Sequence, residues 1–347
     1  MLKRFLSIVF LCCLVAGVAA NVEAVQYRIR DLGTISGNSY ANCINNNGQV
    51  AGYAFASRDV YHAVTWQNNT LIDLGTLGGV RSVANSINDN GDIVGTVYNS
   101  SSGGTSAFIK QNGVTTICGL SASDINNKGQ IAGYASASPF GYHANLWEGN
   151  TNTDLGTIEG GNYSEAWGIN ENGDIVGQSY TSSGNYRAFI WQNEEMTALS
   201  NLGISSVARS INDNGQVVGY ALINGHARAF AWQQGSVSYI SGPESYAWDI
   251  NNKGEIVGLV YLSTTVSHAC VWKDGIMLDL GTLGGLNSMA LGINESGFIC
   301  GAAEIADGTR HAVIWEPVPE PSSILTLLCG IGGLSAIIRR NPKKVSS

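Results

Sequence analysis

Short apolar runs alternate with polar corners along this chain, and one such corner recurs seven times. Its first copy is Ile44-Asn45-Asn46-Asn47-Gly48-Gln49-Val50-Ala51-Gly52, and it returns from Ile87, Ile125, Ile169, Ile211, Ile250 and Ile293. Each copy has Ile-Asn, two mostly polar residues, Gly, one variable residue, then an apolar pair closed by Gly. An Asn/Asp-rich corner ending in Gly between two apolar β-type runs predicts a tight hairpin, because the turn needs positive φ and Gly supplies it without a Cβ clash. The corner glycines Gly48, Gly91, Gly129, Gly173, Gly215, Gly254 and Gly297 stand 43, 38, 44, 42, 39 and 43 residues apart, so a repeat governs the fold.

Four strands fit each period. Strand A precedes the hairpin and carries Ala three residues before Ile, with Cys43, Ser86, Asp124, Gly168, Ser210, Asp249 or Gly292 just before it. Period-2 alternation predicts these small residues on one face and Ile on the other. Strand B is the apolar pair, covered on both faces, and its closing Gly predicts a close approach by a neighbour. Strand C is His62-Ala63-Val64-Thr65-Trp66 and its equivalents. Trp closes six copies, while Lys110 replaces it in the second and predicts different packing there. Strand D, as in Leu71-Ile72-Asp73-Leu74, follows a tight turn at Asn68-Asn69.

Counting strand D decides the architecture. Six copies follow a strand C; the seventh, Tyr27-Arg28-Ile29-Arg30-Asp31-Leu32-Gly33, precedes the first hairpin, and none follows Trp315. The alternative, a β-solenoid, leaves an orphan strand at each end. A ring lets the N-terminal strand complete the last unit and removes both exposed edges. The prediction is therefore an all-β, seven-bladed β-propeller over residues 25–317, closed by an N-terminal strand completing the last blade.

Composition adjusts this picture. High Gly (44) and low charge (13%) suit an all-β chain with many turns. Residues 25–317 hold 12 Lys and Arg against 24 Asp and Glu, too few cations to displace phosphate counterions, so no nucleic-acid partner is expected. Cys43, Cys118, Cys270 and Cys300 lack metal-site spacing and read as small buried hydrophobes, with pairing left open. At the N-terminus, Lys3-Arg4, an apolar run 5–20 and small residues before Asn21 and Val25 predict a signal peptide over 1–24. At the other end, Pro319-Glu320-Pro321 leads into an apolar segment 324–338 and then Arg339-Arg340. A segment of fifteen residues falls short of the roughly 20 of a full span. The basic flank favours the cytoplasmic side and places the repeats outside.

Residues 318–341 closely resemble the PEP-CTERM sorting signal, whose parts are the Pro-Glu-Pro tripeptide, a short apolar helix and an Arg cluster. The repeats resemble the HAF family of extracellular repeats. His62-Ala63, His143-Ala144, His268-Ala269 and His311-Ala312 carry its His-Ala, Ala188-Phe189 and Ala229-Phe230 carry its Ala-Phe, and the linker Asp73–Gly79 recurs over 279–285. The resemblance implies sorting by an exosortase through Pro319, Glu320, Pro321, Arg339 and Arg340. It also implies transient residence in the inner membrane through 324–338, and release towards the cell surface or an exopolysaccharide matrix. It implies neither cofactor nor enzymatic activity.

Candidate chemistry is sparse. Four of the five histidines share one strand-C slot that Arg187, Arg228 and Ser106 fill elsewhere, which predicts a hydrogen bond inside each blade instead of a joint metal site. The strand-C Trp residues read as packing between blades. The polar corner at 88–92 has some oxygen ligands of a Ca²⁺ loop, but turn chemistry accounts for them. No G-x-S-x-G, His-Glu-x-x-His or phosphate loop occurs, so no catalytic, cofactor or metal residue is assigned. Strand direction puts the A–B and C–D turns on one face and the variable B–C loops and D–A linkers on the other. Binding is expected on the variable face, with Arg58, Asp59, Tyr61, Phe140, Tyr142 and Tyr186 as candidates for a glycan or partner surface. The expected role is a surface or matrix binding or structural protein associated with exopolysaccharide. The alternative is a propeller hydrolase or lyase, which needs acids or His gathered on that same face.

Overall fold

A computed structural model describes residues 26–318, apart from 101–103, 138–140, 159, 204 and 241–243 and the side chains of 114 and 116–118. The signal peptide, the sorting signal from Pro319 onward with its apolar segment, Phe140 and the Cys118 side chain lie outside the described residues. Among the described residues every regular element is a strand, and no helix is long and apolar enough to cross a membrane.

The strands form seven four-stranded antiparallel sheets. Blade 1 comprises Ser39–Ile44, Val50–Ser57, Val60–Gln67 and Thr70–Asp73, strands A to D in spatial order. Strands A of blades 2 to 7 are Arg81–Ile87, Ser121–Ile125, Ser164–Ile169, Ser206–Ile211, Ser245–Ile250 and Gly284–Ile293. Blade 7 takes its strand D from the N-terminus: Gln26–Gly33 lies beside its strand C, Arg310–Val318. His311 Nδ1 meets Asp31 Oδ2 at 2.7 Å and Arg30 Nε meets Glu316 Oε1 at 2.6 Å, so the closure is tied by side chains as well as backbone. Residues 29–316 make one compact body.

The hairpins follow their sequence. All seven corner glycines have φ between +72° and +90°, and the C–D turn at Asn68-Asn69 has φ of 50° and 63°, the mirror-image turn that matches strand twist. The closing Gly of strand B has a stronger reason. At Gly219 a Cβ would lie 2.0 Å from the carbonyl oxygen of Val207, and the other six positions are equally closed by the backbone of strand A.

Strand A departs from expectation. Every copy carries a β-bulge between the Ala and the small residue before Ile, as between Ala41 and Cys43. The extra residue resets the alternation, so Ala and Ile share one face and the small residue takes the other. Ala41 and Ile44 accordingly pack with Val64 and Trp66 against blade 7, whereas Cys43 packs with Ala51 and Ala63 against blade 2.

The core is a series of such interblade clusters. Trp66, Trp272 and Trp315 are buried, and Trp147, Trp191 and Trp232 pack against clusters shared by neighbouring blades, as expected of them. Between blades 1 and 2, where Lys110 replaces Trp, the space is filled by fully buried Phe108 with Leu74 and Leu77 from the linker.

Two rings of hydrogen bonds join the hairpins. The Asn after each Ile is buried; Asn45 Nδ2 donates to Asn88 O at 2.8 Å, and the same bond runs through Asn88, Asn126, Asn170, Asn212 and Asn251 to Asn294, which returns to Asn45 O at 3.1 Å. One residue further on, the backbone N–H of Asn46, Asp89, Asn127, Glu171, Asp213, Asn252 and Glu295 each donates to the side-chain oxygen of the next in that series, and Glu295 closes on Asn46. Turn chemistry alone therefore understated these residues: they also lock the ring.

Candidate functional site

Along the axis, strand A presents two layers. The residue before Ile forms a waist of Cys43, Ser86, Asp124, Gly168, Ser210, Asp249 and Gly292. A Cβ at Gly168 would stand 3.0 Å from Arg209 O, which shows how closely the strands approach there. The bulge residue sits one layer nearer the loop face: Asn42, Asn85, Ser123, Trp167, Arg209, Trp248 and Leu291. Together these two layers line an axial cavity of about 310 Å³. The Asn ring and its hairpins line a separate cavity of about 240 Å³ at the opposite end.

Two carboxylates belong to the waist. Asp124 accepts Ser86 Oγ at 2.7 Å and the backbone N–H groups of Ile125 and Ile169; Asp249 accepts Ser210 Oγ at 2.7 Å and those of Ile250 and Ile293. Each thus bridges three blades. Burial nonetheless raises both acids above the ordinary Asp value, Asp249 to about 6, because desolvation of the charged form outweighs those hydrogen bonds.

Arg209 is the unusual group. Its guanidinium lies 4.4 Å from the ring centroid of Trp167 and 4.7 Å from that of Trp248, one indole on each neighbouring blade. Its Nε is buried without a hydrogen-bond partner, and so are Trp167 Nε1, Trp248 Nε1 and Ser123 Oγ in the same layer. Burial pushes Arg209 down to about 10, which leaves it charged at neutral pH. Cation–π attraction is worth about 2 kcal/mol when desolvated. Burial of an unpaired charge costs several kcal/mol, so stacking alone does not satisfy this cation.

On the loop face the aromatic residues gather in three arrays. Tyr61 joins Tyr53, Phe55 and Tyr98, with the Arg81 guanidinium 5.3 Å from its centroid. Tyr142 and Tyr186, from different blades, are brought into one chain, Tyr134–Tyr142–Tyr163–Tyr180–Tyr186, whose neighbouring centroids lie 4.1–5.7 Å apart. Tyr142 also donates to Glu165; desolvation first and this carboxylate second raise its phenol. The third array is Tyr220, Tyr246, Trp248 and Tyr261, with Tyr246 stacked on Trp248 at 8°. Arg58 is exposed beside a small cavity lined also by Phe55 and Thr309, and Asp59 is exposed on the same loop. Neither takes part in the aromatic arrays.

The strand-C histidines behave as expected. His62, His143 and His268 place Nδ1 2.7–2.9 Å from Asp73, Asp154 and Asp279 of their own strand D. Among the described residues no three of His, Cys, Asp and Glu gather in metal-binding range. Cys43, Cys270 and Cys300 are free thiols, and burial raises all three well above the usual thiol value.

Arg209, Trp167 and Trp248 escaped sequence reasoning, although a signal existed. Between the invariant-looking Ala and Ile of each copy, the residue two before Ile is Asn, Asn, Ser, Trp, Arg, Trp and Leu in turn. The two varied positions inside a strict repeat, this one and the residue after it, are the ones that line the axial cavity.

No protein-family model matches the chain, and no curated protein matches it. Solved structures do. The β-propeller domain of the Trilobed protease from Pyrococcus furiosus, described as having an open velcro topology, is 14% identical, with a TM-score of 0.54 over 70% of this chain and 81% of that one. An acylaminoacyl peptidase in complex with Z-Gly-Gly-Phe-chloromethyl ketone is 13% identical, with a TM-score of 0.50 over 77% of this chain and 50% of that one. A puromycin-hydrolyzing peptidase of Mycobacterium tuberculosis is 8% identical, with a TM-score of 0.50 over 85% of this chain and 53% of that one. This chain thus spans about half the length of each peptidase. At such identities the likeness is one of fold, and the fold is a seven-bladed β-propeller.

Proposed function

We propose that this chain is an exported binding protein of the cell surface or extracellular matrix, whose loop face engages glycans of an exopolysaccharide or of the envelope. The observation that carries this reading is the concentration of the aromatic arrays on the loop side of the ring, next to Asn, Arg and Glu side chains. Rings with polar neighbours on a rigid scaffold suit flat polar ligands. The histidine–carboxylate pairs, by contrast, stand on separate blades, which favours binding over hydrolysis or lysis of the polysaccharide. Export through a signal peptide and exosortase-dependent processing at Pro319-Glu320-Pro321, after transient anchoring in the inner membrane, follow from the PEP-CTERM resemblance.

Retention of the purified protein on polysaccharide from the producing cells tests the first part. Binding in a glycan array with loss on Tyr142→Ala together with Tyr186→Ala is the expected result; absence of retention on every glycan overturns it. Mass spectrometry of protein recovered outside the cells tests the second. The expected species begins after Ala20 or Ala24 and ends near residues 319–321, and an intact C-terminus in the recovered protein overturns exosortase processing.

A further inference from the structure

We propose that the axial cavity is a binding site for a carboxylate-bearing sugar, held through the in-plane edge of the Arg209 guanidinium. This rests on the glycan-binding reading above and gives it a chemical class.

The geometry leaves one way to satisfy Arg209. Its guanidinium carbon lies over the ring of Trp167 at 4.4 Å and over that of Trp248 at 4.7 Å, and its Nε is buried without a hydrogen-bond partner. The terminal nitrogens remain, and among the described residues no carboxylate or carbonyl takes them. Glu165, the acid that acts on Arg209 electrostatically, is already engaged by Gln178 and Tyr142. Asp124 and Asp249 are each held by a Ser hydroxyl and two backbone N–H groups. A guanidinium held between two indoles with its terminal nitrogens untaken offers its N–H fork to a planar, two-oxygen anion, and a carboxylate meets such a fork with two parallel hydrogen bonds.

The rest of the lining suits a sugar. Asn42 and Asn85 donate their amide N–H to the backbone oxygens of Ala84 and Ala122 at 2.9 and 2.8 Å, which leaves their side-chain oxygens as acceptors for hydroxyl groups. Trp167 and Trp248 supply apolar surface in the same cavity. At about 310 Å³ the space is at the small end of ligand pockets and fits one monosaccharide unit, not a folded oligosaccharide.

Titration calorimetry of the full-length protein with D-glucuronate, D-glucose and inorganic phosphate tests the proposal. Glucuronate is expected to bind at least tenfold more tightly than glucose or phosphate, and Arg209→Gln is expected to weaken it at least tenfold without lowering the melting temperature. Ser123→Asp, which puts a carboxylate into the same cavity without touching the stack, is expected to abolish glucuronate binding. Equal affinity for glucose, or tighter binding of phosphate, overturns the assignment. So does a melting temperature lowered by Arg209→Gln with no glucuronate binding in the parent protein, since Arg209 is then a structural plug. Retention on polysaccharide that survives Arg209→Gln, without glucuronate binding, removes this inference and leaves the loop-face reading standing. Glucuronate binding without polysaccharide retention does the reverse.

Discussion

Single side chains carry much of the cohesion between blades. Asn170 shows how: its Nδ2 donates to Asp174 Oδ2 and Asn212 O, while its Oδ1 accepts the backbone N–H groups of Asn172 and Asp174. Asn170→Ala takes the partner from the buried Asn212 carbonyl on one blade and from the partly buried N–H groups of Asn172 and Asp174 on another, and is expected to cost about 2–4 kcal/mol, measured by urea unfolding. The Ser five residues before Ile works alike, since Ser206 Oγ receives the N–H of Ala188 from the previous blade at 3.1 Å. The waist acids add a pH dependence. Because Asp249 ionises near 6 in the folded ring against 3.8 for the free residue, the folded state holds its proton longer, and stability falls as pH rises from about 4 to above 6. The loss is on the order of 2–3 kcal/mol, and Asp124 acts in the same direction. Unfolding curves at pH 4 and pH 7 should show Asp249→Asn gaining on the parent protein by about that amount; parallel curves would refute the burial argument. Of this layer, a hydrogen bond within each blade at the His slot was legible because that slot recurs, whereas its partner, the Asp of strand D, came only with the structure. The buried Asn ring was not, since each bond joins residues about forty positions apart and the same Asn also satisfies a local turn.

At the scale of the strand, the repeat is written largely in backbone demands. The closing Gly of strand B was readable as a point of close approach, and the structure identifies what approaches: the carbonyl of strand A. Gly219→Ala would drive a methyl group to 2.0 Å from Val207 O. It is expected to cost more than about 4 kcal/mol or to prevent folding, visible as loss of the cooperative thermal transition. The hairpins were equally legible, because a turn is decided by four or five neighbours. The bulge was not, because an extra residue shows only when the register of the partner strand is known. Alternation read from strand A alone put Ala and Ile on opposite faces, and that error hid the residue that points at the axis.

For the whole molecule, closure was legible through simple counting, seven strands D with one displaced to the front. Removing residues 26–33 should expose strand C of blade 7, leave His311 without Asp31 and Glu316 without Arg30, and lower the melting temperature by several degrees. Size-exclusion chromatography of that truncation should show association through the bared edge; a monomer of unchanged stability would mean the strand is dispensable. The axial cavity was not legible, for it is lined by residues of all seven copies around a centre that no single copy contains. Both rings of hydrogen bonds, moreover, share one sense: each blade gives its donor to the blade that follows. A module of this kind has a head and a tail, so any copy accepts any other as successor. Gain or loss of a copy during gene duplication would therefore need only a change of wedge angle, with no new chemistry at the joint.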